Sequence, residues 1–98
     1  MHFLVFLAHP KPSSDDYGSV DGAYISCWVN ESVLSAADLV ARQFIDDAGW
    51  DVEELDEAYP ISENHYSASD PGREYADQAR IDGIVVTFVV WDIGAPDE

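Results

Sequence analysis

The chain has 98 residues, of which 20 are Asp or Glu and 4 are Lys or Arg, so its formal net charge is −16. A surface this acidic repels phosphate backbones and anionic lipid headgroups at long range, which argues against nucleic-acid and membrane binding. Hydrophobic residues still make up 47%, with three Trp, five Tyr and four Phe, and acidic disordered chains lack such aromatics; one folded domain over residues 1–98 is expected.

Residues 2–9 are nearly all apolar and predict a strand buried on both faces. The run is too short to cross a bilayer and lacks a basic leader and a small-residue cleavage site, so the protein is read as cytoplasmic. Pro10 ends the strand, because proline cannot donate to a ladder. Residues 10–22, rich in Pro, Ser, Asp and Gly, predict a long loop. Residues 23–29 alternate: Ala23, Ile25, Cys27 and Val29 on one face, Tyr24, Ser26 and Trp28 on the other. Cys27 is the only cysteine, so an internal disulfide is impossible, which fits a reducing compartment. Residues 31–48 predict a helix capped by Asn30 or Ser32, burying Val33, Ala36, Ala37, Val40, Phe44 and Ala48. Gly49 stops it, and Trp50 then folds back towards Ile45.

Residues 50–58 predict an acidic edge strand with Trp50, Val52 and Leu55 inward and, where the phase breaks between Val52 and Leu55, a bulge or an early end. After a loop over residues 59–70, Asp70 and Pro71 start a short helix to about Arg80, with Tyr75, Ala76 and Ala79 inward. Residues 84–91 form a last strand, apolar on both faces. Residues 93–98 predict a frayed acidic tail.

This β-β-α-β-α-β order implies an α+β fold. A ferredoxin-like sandwich is expected, with a four-stranded, mostly antiparallel sheet and two helices on one face. Three segments reinforce it: residues 24–29 (YISCWV), Gly49-Trp50 closing a helix, and residues 78–83 (QARIDG) before an apolar strand ending in Trp91. From Tyr24 to Trp91 the chain resembles small uncharacterised bacterial α+β domains with a ferredoxin-like core. The resemblance implies the fold and brings no activity or cofactor.

No motif specifies a reaction. The histidines His2, His9 and His65 have no helical pairing; Glu63 and His65, with Asp70 nearby, could reach one cation but lie in a polar loop, and residues 46–51 lack the calcium-loop ligand pattern, so no metal or other cofactor is expected. No Gly-x-Ser-x-Gly setting or phosphate-binding glycine loop is present, and paired carboxylates are too common to be informative. Aromatic residues are the remaining candidates. If a pocket or interface exists, it is expected around Tyr24, Trp28 and Trp91, with His9, Tyr66 and Arg73 as polar contacts. The bare sheet face (Tyr24, Trp28 and either Val86, Phe88 and Val90 or Thr87, Val89 and Trp91) is expected to meet a second copy. The leading expectation is therefore a non-catalytic homodimerising binding or accessory module. Two others stand beside it: an acidic decoy for a basic protein partner, and a small-molecule enzyme of the dimeric ferredoxin-like type.

Overall fold

The structure, a computed structural model, describes residues 1–62 and 65–92. The expected acidic tail at 93–98 and the candidate ligand Glu63 lie outside the described residues. The chain runs β1 (His2–Pro10), β2 (Val20–Val29), α1 (Leu34–Asp47), β3 (Trp50–Pro60), α2 (Pro71–Asp82) and β4 (Ile84–Asp92). The four strands form one sheet in the order β3-β1-β2-β4, and every neighbouring pair is antiparallel. The fold is therefore α+β with an antiparallel sheet.

Side-chain alternation decides where the helices go. Leu4, Phe6 and Ala8 of β1 share a face with Ala23, Ile25, Cys27 and Val29 of β2, and α1 buries Ala37, Ala41 and Ile45 against them. The opposite face carries Phe3, Trp28 and Val85, and α2 packs Ala76 and Ala79 there. The helices thus lie on opposite faces, which corrects the expectation that both share one. The physical reason is in β1 and β2, which are apolar on both sides; a helix on each face covers more of that surface than two on one. Strand order alone does not establish a ferredoxin-like sandwich, and the split helices depart from it.

The buried stripe of α1 is also rotated from the expected one. Ala37, Ala41 and Ile45 are fully buried, while Val33, Val40 and Phe44 remain exposed along the helix flank. Two alanines facing the sheet let the helix backbone approach closely, so the larger side chains move to its sides. No side chain caps α1: its N-cap is Val33, in extended conformation. The segment before it is held by the sheet instead. Asn30 N–H donates to the Gly83 carbonyl, and His2 Nδ1–H donates to the Glu31 carbonyl, both at 2.9 Å. At the other helix the expected cap is present, with Asp70 Oδ1 accepting from Gly72 N–H at 2.9 Å.

β2 starts at Val20, so the preceding loop is shorter than the 10–22 stretch suggested. β3 runs on through Pro60, which an edge strand tolerates because its outward side needs no donor. The β1–β3 register shifts between Val5 and Phe6 and again between Leu7 and Ala8, so the expected bulge is doubled.

Cys27 lies near the C-terminal end of β2, fully buried, and burial pushes its thiol from 9.0 up to about 12. Its neutral form is favoured in the fold, so this contribution to stability is complete below pH 9.0 and declines as the pH climbs towards about 12. At the alkaline limit the loss approaches ~4 kcal/mol, about three pH units at roughly 1.4 kcal/mol each. Wild type should therefore lose stability between pH 9 and 11 faster than Cys27→Ala in parallel urea melts, and the native thiol should resist alkylation. Equal alkaline slopes for the two proteins would refute this.

Candidate functional site

The six residues singled out in the sequence fall into separate places. Trp28 and Tyr66 come together: the indole Nε1–H donates to the Tyr66 hydroxyl at 3.0 Å. They belong to a packed set of rings beneath α2. Phe3 lies 4.9 Å from Trp28 and 5.3 Å from Tyr59, Tyr75 lies 4.7 Å from Trp28, and His65 lies 5.8 Å from Tyr59 and 4.7 Å from Tyr66, all between centroids. Gly72 makes room for this set, since a Cβ there would come within 2.6 Å of the Tyr66 ring. With Trp28 itself buried, the rings fill a small second core instead of lining a cavity. Burial and the neighbouring Tyr66 and Glu57 raise the Tyr59 phenol above its ordinary value, so it stays protonated.

Tyr24 and Trp91 form a second group on the same face but beyond α2, with centroids 5.5 Å apart. The Trp91 ring lies on Gly22, where a Cβ would stand 2.6 Å from it, and its Nε1–H donates to Asp21 at 3.3 Å. His9 stands apart from both groups, on the β3 side: its Nδ1–H donates to Glu53 at 3.0 Å, and its Nε2 is 3.8 Å from Asp51. Arg73 is on α2, paired with Asp77 at 3.5 Å. The six residues do not converge on one site.

A shallow groove of about 280 Å³ lies elsewhere, between α1 and β3, lined by Leu39, Arg42, Gln43, Asp46, Trp50, Asp51 and Val52. Two of its charged residues, Arg42 and Asp46, are already engaged. Arg42 Nε–H contacts both Asp38 carboxylate oxygens, at 2.9 and 3.0 Å, and its guanidinium lies 5.2 Å above the Phe6 ring. Asp46 accepts from the Lys11 ammonium, and that hydrogen bond is the main reason the Lys11 pKa is raised. Nothing in the groove combines a nucleophile with a base. Among the described residues no three His, Cys, Asp or Glu side chains are placed to share a metal ion, and no helix is long and apolar enough to cross a membrane.

The largest unexplained feature is β4. It forms one edge of the sheet, and residues 84–91 carry no charge. Phe88, Val89 and Val90 are 39%, 66% and 51% exposed. Register with β2 puts Phe88 and Val90 on the α1 face and Val89 on the α2 face, so among the described residues this end of the strand is uncovered on both sides. Val40 and Phe44 of α1 are exposed as well. The sequence pointed to alternate residues of this strand. It did not reveal that Trp28 would be covered from within the chain, because only the split of the two helices decides that. Comparison with protein-family models, with curated proteins and with solved structures finds no match, so the geometry alone carries the functional reading.

Proposed function

We propose that the protein is a small acidic homodimerising domain that serves as a binding or accessory module and performs no catalysis. One observation carries this reading: the apolar stretch Phe88–Val90 stands exposed on both faces of an otherwise strongly anionic molecule. Exposed apolar strand ends of this kind attract a partner or aggregate. A second reading has its own support. β3 places five carboxylates between Asp51 and Glu57 along the opposite edge of the sheet, which suits a decoy for a basic protein.

Salt separates the two. Apolar self-association of a polyanion tightens as screening removes the mutual repulsion, and the Debye length falls from ~10 Å at 0.1 M to ~3 Å at 1 M. Capture of a basic partner weakens over the same range. Sedimentation at tens of micromolar should show a dimer whose affinity rises between 0.1 and 1 M NaCl. A monomer throughout that range overturns the proposal.

A further inference from the structure

Building on the homodimer reading, we propose that two copies join edge to edge, β4 against β4, in antiparallel pairing centred on Phe88–Val90, to make one continuous eight-stranded sheet.

The two edges of the sheet are opposites in charge. β3 carries Asp51, Glu53, Glu54, Asp56 and Glu57, whereas β4 from Ile84 to Trp91 carries no ionisable side chain. A strand edge offers free backbone N–H and C=O groups to any extended segment, and edge charges are a common way to refuse one. β3 is defended in this way, and β4 is not. A basic occupant would be drawn to the β3 edge by its carboxylates. The β4 edge suits an uncharged, apolar strand, and the same β4 on a second copy fits that description.

Self-pairing is also geometrically natural. Antiparallel strands related by a two-fold axis place each residue opposite its counterpart about the centre, with side chains on matching faces. An axis beside Val89 sets Val89 against Val89 of the second copy on one face and Phe88 against Val90 on the other. The three exposed large hydrophobic residues of β4 are thereby covered together. The acidic β3 edges end up farthest apart. Each is three strand spacings, roughly 14 Å, from its own β4, beyond the ~10 Å Debye length at 0.1 M salt. The net charge of −16 per copy therefore opposes this arrangement less than it would any other edge pairing.

Edge pairing differs from face-to-face packing in a testable way. A face-packed dimer buries one side of β4, so charge on the other side leaves it intact. In the edge-paired dimer, charge on either side at the centre stands against a close neighbour across the new strand pair. Val89→Glu and Val90→Glu change opposite faces at exposed positions, so each monomer should keep its fold, checked by circular dichroism. Ile81→Glu on α2, where Ile81 is 78% exposed, adds the same charge away from β4. Sedimentation equilibrium should show the dimer dissociation constant raised at least tenfold by both Val89→Glu and Val90→Glu, and within twofold of wild type for Ile81→Glu. If only one of the first two variants weakens the dimer, the copies pack through a face; the edge pairing is then wrong and the homodimer reading survives. If neither does, the interface lies elsewhere and the edge pairing is again wrong. A wild-type protein that stays monomeric removes both.

Discussion

Replacing Trp28 with alanine is expected to release α2 from the sheet and to cost about 3–5 kcal/mol, the usual range for deleting a buried aromatic ring. The helix has little else to hold it. Its buried residues are Ala76 and Ala79, which provide close approach but little area. The largest ring in their buried cluster, which also holds Ile61, is Trp28; it contacts Phe3 and Tyr75 and fixes the loop through the Tyr66 hydroxyl. A domain of this size has a total stability of only ~5–15 kcal/mol, and each kcal/mol moves its midpoint by about 4–8 °C. The melting temperature should therefore fall by at least ~12 °C. The loss should also be uneven: amides of Pro71–Asp82 should exchange with solvent well before those of β1 and β2. Trp28→Phe keeps an aromatic ring but loses the donor to Tyr66 together with part of the indole, so its cost should lie between the ~1 kcal/mol of one hydrogen bond and that of Trp28→Ala. Adding Tyr66→Phe to that variant should then cost almost nothing more. A melting temperature within ~5 °C of wild type for Trp28→Ala would mean that α2 is anchored by something other than this ring.

How much of this was readable in the chain differs from residue to residue. Strand and helix identities followed from local pattern: alternation in residues 23–29, Asp70-Pro71 before a helix, and Gly49 with its φ of 94° after one. Those signals depend on neighbours a few positions apart. The placement of α2 on the far face did not, because it is set by which face of β2 is left open once α1 has docked. Trp28 looked like an exposed interface residue for the same reason. The rotation of α1 has a local cue that hydrophobicity hides. Alanine spacing at 37 and 41 marks the face of closest approach, while the larger Val40 and Phe44 drew attention to the flank. β4 was legible as apolar on both sides, and the structure narrows its uncovered part to Phe88–Val90. His9 and Arg73 were grouped with the aromatics on chemical type alone; a hydrogen bond to Glu53 on β3 and an ion pair with Asp77 on α2 place them elsewhere.

Trp50→Ala should be as damaging as the loss of Trp28, at about 3–5 kcal/mol, but through the other core. Ala8 and Ala23 are neighbours across β1 and β2 and are both fully buried despite their size. They share one buried cluster with Trp50, whose indole starts on the β3 edge and meets Phe88 of β4 with ring centroids 5.8 Å apart. Trp50 and Phe88 thus reach towards each other from the two edges, over the face that carries Ala8 and Ala23. Removing the indole leaves a void that two alanines cannot fill, because their strands are fixed by pairing on both sides. The cost is therefore the transfer of the ring to water plus the cavity left behind. Unfolding in urea should shift to lower midpoint with an unchanged slope, as expected when the native fold persists but is less stable. Trp50→Phe, which leaves a smaller void, should fall between the two. Phe88 also loses the ring that supports it from within, so the Trp50→Ala protein should dimerise more weakly even where it remains folded. A variant with wild-type stability would show that α1 settles over Ala8 and Ala23 on its own, and that the indole is dispensable to this side of the sheet.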